Sequence, residues 1–391
     1  MKINVAVFFG GSSVEHEVSV ISAVQAMHSM KQDKYNLVPV YITKSGEFYH
    51  SDSMTDINVF KDIDKLLAES KKVSIVKEKG EFFVTDGKSG LFSKKLSCKI
   101  EIAFPIVHGT NCEDGSIAGY FELIGLPYVS CDVVSAAVGM DKVLFKSVLQ
   151  ADGIPTLPCI YFYGKQWVSD KTRIISEINE KIGYPLIVKP ANLGSSVGIV
   201  KVKSESELED AVSLSMSFAG KILIERAITE LREINCSVLG DCDECRPSVC
   251  EEPIMSDEIL SYKDKYVSEG KSKGMTSLKR KIPADIPKEK EEEIKRYACE
   301  TFRTLGCNGV VRIDFLMDAA DDNKVYVNEI NTIPGSLSFY LWEPAGLPYT
   351  DMLDELIDLG FKRARMKNNL MFTYDTNILA SGGAFGSKGK K

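Results

Sequence analysis

Two short segments late in the chain, Val311-Arg312-Ile313-Asp314-Phe315 and Val327-Asn328-Glu329-Ile330-Asn331, combine near-continuous apolar character with a few polar side chains. With Val310 and Val325 they read as buried strands. Side chains alternate along a strand, so Arg312 and Asp314 share one face, and Glu329 and Asn331 share one face of the partner. The run Asp318-Ala319-Ala320-Asp321-Asp322-Asn323 has turn chemistry, and a hairpin about its centre sets Asp314 roughly opposite Glu329. Buried charges are costly unless paired or metal-bound, which favours a functional cluster over a solvated strand face. Oxygen-bearing side chains alone suit Mg²⁺, an ion that keeps positions for water and nucleotide phosphate. Asp314, Glu329 and Asn331 are therefore candidate metal ligands, and nucleotide chemistry is the first expectation.

The bulk composition narrows the alternatives. A chain of 391 residues with 44% hydrophobic content is globular and long enough for two or three domains. A net charge of −7 leaves no general basic footprint for nucleic acid. The opening strand runs straight into Gly10-Gly11, too short for an export signal, and no window approaches the roughly 18 apolar residues of a membrane span. A cytoplasmic protein without nucleic-acid or membrane partners is expected. Its ten cysteines should then be reduced, most of them scattered singly and used for packing. Cys242-Asp243-Glu244-Cys245 has the gap of a zinc or redox pair, but with Cys236 and Cys250 the spacing fits no zinc pattern, so an exposed thiol-bearing turn is the expectation.

Along the chain, Ile3 to Phe9, the glycine turn, a helix from Val18 to Met30 and a strand from Val38 to Ile42 read as the opening of a parallel α/β domain. It continues with a strand from Ile100 to Val107, a helix from Ser116 to Ile124 and a strand from Pro127 to Ser130. Ligands in such sheets sit beyond the strand carboxyl ends, which makes Glu15 and His108 candidate site residues. A helix from Val134 to Gln150 then opens a smaller α+β unit, in which Ser204 and Glu207 form a capping box. The expected boundaries are a first domain over 1–131, a central one over 132–225, a C-terminal one over 226–370 and a flexible tail over 371–391.

The loop Asn192-Leu193-Gly194-Ser195-Ser196-Val197-Gly198 lies between two strands, which separates it from an ordinary P-loop. Its small residues let backbone N–H groups approach phosphate, Ser195 and Ser196 add hydroxyl donors, and Lys189 supplies positive charge. The set as a whole resembles the ATP-grasp ligases, and within them the D-alanine:D-alanine ligases. Gly10-Gly11-Ser12-Ser13-Val14-Glu15-His16-Glu17-Val18-Ser19, His108-Gly109 with Glu113-Asp114-Gly115, and Met140-Asp141-Lys142 are similar to that family's motifs. So are Val188-Lys189-Pro190 with the glycine-serine loop, Arg312-Ile313-Asp314, and Glu329-Ile330-Asn331-Thr332-Ile333-Pro334-Gly335. The order is kept over about residues 3–365.

The resemblance implies an α/β (α+β) ATP-grasp fold, with a Rossmann-like parallel-sheet domain followed by two α+β subdomains that sandwich ATP. It implies ligation through an acylphosphate: one D-alanine carboxylate takes the γ-phosphoryl of ATP, and the amine of a second D-alanine attacks. Lys142, Lys189 and Lys265 would neutralise phosphates, Glu225 and Glu233 would hold adenine and ribose, and Asp314, Glu329 and Asn331 would bind two Mg²⁺ (or Mn²⁺) ions. Glu15 would anchor the first ammonium in a group with Ser195 and Tyr266. Arg312 and the N–H of Gly335 would stabilise the oxyanion, with His108 in substrate binding. A homodimer through the first domain belongs to the same set of expectations.

The chain departs from the family pattern after Gly335. Where the family uses a serine to hold the carboxylate of the second amino acid, the aligned position falls near Tyr340 or Leu341, in Ser336-Leu337-Ser338-Phe339-Tyr340-Leu341-Trp342-Glu343. Ser338 or the Tyr340 hydroxyl is the candidate substitute. A ligase with another second substrate, such as D-serine or D-lactate, therefore stands beside the leading reading, as does a nucleotide-binding sensor without turnover. By the same resemblance, Tyr266 implies an amine nucleophile, because relatives that use a hydroxy acid tend to carry phenylalanine there.

Overall fold

The computed structural model describes residues 2–87, 96–194, 197–254 and 280–372. Its first sheet has the strand order Lys71–Lys72, Phe48–His50, Tyr35–Ile42, Ile3–Gly10, Ile102–Ile106. Ile3–Gly10 pairs in parallel with both of its neighbours. Its segment Val5 to Phe9 is fully buried, as expected for a parallel strand covered on both faces. The turn that follows needs glycine: Gly10 has φ +96°, and a Cβ there would lie 2.2 Å from the Ile42 carbonyl oxygen. Ser19, on the helix His16–Ser29, ties the turn down by accepting from Gly10 N–H at 2.7 Å and donating to Ile106 O at 2.5 Å.

A second, antiparallel sheet has the order Val200–Val202, Leu186–Pro190, Lys221–Arg226, Cys159–Tyr163. The third has the order Arg280–Lys281, Cys245–Pro253, Leu231–Gly240, Gly309–Asp318, Lys324–Asn331. Its core under the helix Lys288–Thr304 includes Ile294, Ala298 and Phe302 packed with Ile234, Val311 and Ile313. The long helix Tyr349–Asn368 returns to the first sheet, where Met352, Leu353, Leu356 and Ile357 share a core with Val5, Val7 and Phe9. A fourth, small antiparallel sheet, Ser74–Glu78, Glu81–Thr85 and Ser97–Ile100, has no counterpart in the sequence expectations.

Several local expectations change. The helix expected over Val134 to Gln150 is two helices, Val133–Met140 and Lys142–Ala151, broken at Asp141 with ψ 99°. Asp141 caps the second by accepting from Val143 N–H at 3.0 Å and Leu144 N–H at 3.2 Å. The strand expected over Ile100 to Val107 divides at Glu101 between two sheets. Pro127 to Ser130 contributes only an isolated bridge at Tyr128. Glu207 accepts from Lys203 N–H at 2.8 Å instead of reaching back to Ser204, so the expected capping box is not formed.

Candidate active site

A cavity of about 240 Å³ lies between the second and third sheets, lined by Ile187, Lys189 and Glu225 on one side and Glu233, Asp314 and Glu329 on the other. Its floor is set by strand register. Glu251, Asn235, Asp314 and Glu329 are successive pairing partners across four strands of the third sheet, so one polar row crosses the sheet. Arg312 lies two residues from Asp314 on the same face and grips it with two hydrogen bonds, each 2.7 Å. Burial works against the Arg312 charge, but Asp314 holds its pKa well above the ordinary value. Asn331 donates to Asp314 at 3.1 Å. Lys142 Nζ stands 3.1 Å from Glu329 Oε2 and donates to the Leu193 carbonyl at 2.9 Å.

The second sheet and the helix Lys142–Ala151 together supply a buried triad. Lys189 is diagonal to Glu225 across an antiparallel pair, and donates to it and, at 3.2 Å, to Asn328. Lys146, one turn beyond Lys142, lies 2.8 Å from the other Glu225 oxygen and is 1% exposed. Burial alone would raise the Glu225 carboxyl, but Lys146 and Lys189 outweigh it and hold it at about 2. Burial pulls the Lys146 ammonium below its ordinary value, against the Glu225 charge. One carboxylate thus holds two buried cations, of which Lys189 lines the cavity.

The oxygen donors of Asp314, Glu329 and Asn331 form one cluster and include neither thiol nor imidazole, a set that fits a hard divalent cation. Among the described residues no group of three or more His, Cys, Asp or Glu forms a metal cage. Two carboxylates and an amide suit an ion whose remaining positions are filled by phosphate and water.

At the end of the third sheet's last strand, side chains from the helix His16–Ser29 and from the loop after Ile102–Ile106 clamp the backbone that follows Asn331. His108 is buried and below its usual pKa because of that burial, with the Glu15 charge opposing. Its neutral ring therefore has a defined tautomer: Nδ1–H donates to Ile333 O at 2.7 Å, and Nε2 accepts from Ser22 at 3.0 Å. Ser22 Oγ in turn accepts from Ser336 N–H at 3.0 Å. The Glu113 carboxylate accepts from Ile333 N–H at 3.0 Å and Gly109 N–H at 2.8 Å, while burial and then Glu15 push it up to about 8. Gly335 lies between these fixed points. Beyond it, Ser336, Leu337 and Ser338 have φ of 49°, 53° and 54°, a left-handed turn made without glycine. Each such residue costs roughly 1–2 kcal/mol, and strain of this kind clusters at functional sites.

Residues 4–131 match the family model described as D-ala D-ala ligase N-terminus, and residues 148–358 match D-ala D-ala ligase C-terminus. The chain belongs to the D-alanine–D-alanine ligase family. The D-alanine–D-alanine ligase of Thermosipho melanesiensis is 40% identical over 385 residues, covering 96% of this chain and 98% of that relative. Among solved structures, the D-alanine-D-alanine ligase from Coxiella burnetii aligns with a TM-score of 0.77 and 29% identity, covering 94% of this chain and 96% of that one. The VanG D-Ala:D-Ser ligase from Enterococcus faecalis aligns with a TM-score of 0.77 and 30% identity, covering 92% of this chain and all, 100%, of that one. The ATP-grasp expectation for the fold is thereby met.

Within this ligase-family frame, Glu15 stands at the N-terminus of the helix His16–Ser29 without a side-chain cap bond. Its carboxylate faces the glycine-serine loop: a Cβ on Gly194 would lie 3.6 Å from Glu15 Oε2. Ser195, Ser196, Lys265 and Tyr266 lie outside the described residues, as does the lysine-rich stretch through residue 279. Sequence reasoning did not single out Lys146, Asn235, Glu251 or Ser22, and quoted Glu113 without a role. For Lys146 a signal existed: it is four residues from Lys142, hence on the same helix face. For Ser22 nothing in the sequence distinguishes it from any other helix serine.

Proposed function

We propose that this protein is an ATP-dependent carboxylate–amine ligase that joins two D-alanines for peptidoglycan precursor synthesis. Family membership over nearly the whole chain carries the reading, supported by the charged cavity between the two sheets. The D-alanine carboxylate oxygen attacks the γ-phosphorus of ATP, ADP departs, and the acylphosphate keeps the phosphoryl group. The amine of the second D-alanine then attacks the acyl carbon, inorganic phosphate leaves, and the nitrogen gives up a proton.

In this reading Lys142, Lys189 and Lys265 spread the negative charge of the phosphates, and Glu233 meets the ribose. With both carboxylate oxygens turned to lysines, Glu225 serves adenine recognition chiefly by fixing Lys146 and Lys189. Asp314, Glu329 and Asn331 would hold two Mg²⁺ or Mn²⁺ ions, whose charge offsets that of the transferring phosphoryl group. Glu15, with Ser195 and Tyr266, anchors the first ammonium. Arg312 and the Gly335 N–H, which the His108 and Glu113 clamps position, receive the oxyanion. A cytoplasmic site of action and a homodimer through the first domain complete the proposal. No helix among the described residues is long and apolar enough to cross a membrane.

A second reading, a different second amino acid, is favoured by one observation. The Tyr340 hydroxyl donates to Glu251 at 3.1 Å beneath the Arg280 guanidinium, so an aromatic wall stands where the family has a serine. Incubating the protein with ATP, Mg²⁺ and pairs of D- and L-amino acids and hydroxy acids, with products identified by mass spectrometry, separates the readings. D-alanyl-D-alanine is the expected dominant product. Another dipeptide assigns the altered wall to specificity, and ATP binding without an amino-acid-dependent product overturns both.

A further inference from the structure

The helix Lys142–Ala151 carries two buried lysines one turn apart, and each is tied to a different wall of the cavity. Lys142 Nζ meets Glu329 of the third sheet at 3.1 Å, whereas Lys146 Nζ lies 2.8 Å from Glu225 Oε2 of the second. Lys142 has a part in the ligation, as a partner of the phosphates. Lys146 has none, being 1% exposed and placed behind Glu225, outside the set of residues that line the cavity.

The charges in this corner do not balance. Two ammonium groups, of Lys146 and Lys189, face the single carboxylate of Glu225, so the buried group carries one positive charge in excess. The nearby Cys159 thiol supplies no counter-charge, because burial pushes it above its ordinary value and keeps it neutral. An excess charge in buried surroundings is costly unless an anion completes the group. That anion can arrive only from the cavity side, and of the two lysines it is Lys189 that lines the cavity. Besides Glu225, Lys189 meets the neutral amide oxygen of Asn328 at 3.2 Å.

We propose that Lys146 is a positioning residue for nucleotide binding: by holding one oxygen of Glu225 from behind, it keeps the excess positive charge on Lys189, which then receives a phosphate of ATP. The proposal rests on the ligase reading for the identity of the anion, and deepens it by giving a role to a residue outside the cavity.

The physical reason is competition for one carboxylate. With Lys146 in place, Oε1 of Glu225 faces Lys189 and Oε2 faces Lys146, so the carboxylate is shared and its orientation fixed. Without Lys146 the carboxylate would serve Lys189 alone, as a closed and neutral ion pair. A phosphate would then have to draw Lys189 away from a full counter-charge, in low-dielectric surroundings where that attraction is strong.

The test reads the binding of Mg·ATP and of adenosine to the full-length protein by titration calorimetry. Lys146→Met keeps an unbranched side chain and removes the charge. It should weaken Mg·ATP about 10-fold, the scale of one partly screened charge acting on an anion. Adenosine, which has no phosphate, should change by less than about two-fold and so report an intact cavity. Under turnover the same variant should raise KM for ATP and leave kcat within about two-fold. Lys146→Met combined with Glu225→Gln removes one charge of each sign and restores the excess of one. It should bring Mg·ATP back to within about three-fold of the starting protein, and the fold tolerates loss of both members of a buried pair better than loss of one. Equal weakening of Mg·ATP and adenosine in Lys146→Met would reduce Lys146 to packing and overturn the proposal. A double variant that binds Mg·ATP no better than Lys146→Met overturns it too. Binding is read without turnover, so a protein that binds Mg·ATP but makes no dipeptide fails the ligase reading while the role of Lys146 is still decided by these titrations.

Discussion

The cavity between the second and third sheets and the junction after Asn331 are assembled in opposite ways. In the cavity, side chains meet side chains on neighbouring strands: Arg312 with Asp314, Lys189 with Glu225, Asp314 opposite Glu329. At the junction, side chains from the helix and loop beside the first sheet hold backbone atoms. His108 reaches a carbonyl 225 residues away, and Ser22 reaches an N–H 314 residues away. Charge placed on regular strands leaves a sequence pattern, whereas a positioned main-chain N–H leaves none.

The largest expected effect breaks the cavity side. Glu329→Gln removes one of the two opposed carboxylates and the partner of Lys142. It should lower amino-acid-dependent phosphate release by at least about 100-fold, on the scale of losing a metal or charge-stabilising contact. Thermal unfolding should change little, because Glu329 is partly exposed. Activity within a few-fold of the starting protein would remove Glu329 from the metal set.

Next comes Glu225→Gln, which leaves Lys146 and Lys189 buried without a counter-charge. A loss of roughly 3–5 kcal/mol is expected from breaking such a group. Its pH dependence has a definite sign. The folded carboxyl lies at about 2, below its ordinary 4.5, so its stabilisation is present above 4.5 and is lost as pH falls towards 2. Chemical denaturation should show about 3 kcal/mol of acid-linked loss in the starting protein across that window. The same loss in the glutamine variant would show that another group is responsible.

The cavity side was the legible one. The turn-forming run Asp318 to Asn323 between two near-continuous apolar segments marked the hairpin, and the structure pairs Asp314 with Glu329, with Asp322 and Asn323 taking positive φ in the turn. What remained hidden there was the rest of the row, Asn235 and Glu251, because strand order in a sheet is a tertiary fact. At the junction the sequence marked His108 through its strand end. It could not mark Ser22, nor a left-handed turn at Ser336-Leu337-Ser338, where residue types normally excluded from that conformation are held in it by distant contacts.

Ser22→Ala tests whether that junction is more than packing. The substitution frees Ser336 N–H and leaves His108 Nε2 without its donor, in buried surroundings. Stability should fall by roughly 1–3 kcal/mol. If the clamp positions Gly335, kcat should also fall about 10-fold with KM for ATP unchanged, since a small misplacement of an oxyanion donor weakens the transition state more than nucleotide binding. A stability loss with unchanged kcat would reduce the junction to a structural tie.

The smallest effect is expected where the two regions meet. Tyr340 lies just beyond the strained turn, yet its hydroxyl donates to Glu251, the end of the polar row that runs through Asp314. Burial, and then Glu251, push its phenol up to about 12, so it is a neutral donor throughout the working range. Arg280 covers the ring at 4.3 Å and also donates to Glu251 at 3.1 Å, which keeps that carboxylate satisfied if the hydroxyl is removed. Tyr340→Phe should therefore leave KM for ATP unchanged and raise KM for the second amino acid only a few-fold, the scale of one neutral hydrogen bond. A change in which second substrate is accepted would be more informative than the size of the loss. It would mean that the wall after Gly335 selects by hydrogen bonding, since Phe retains the shape of the ring and removes only the hydroxyl.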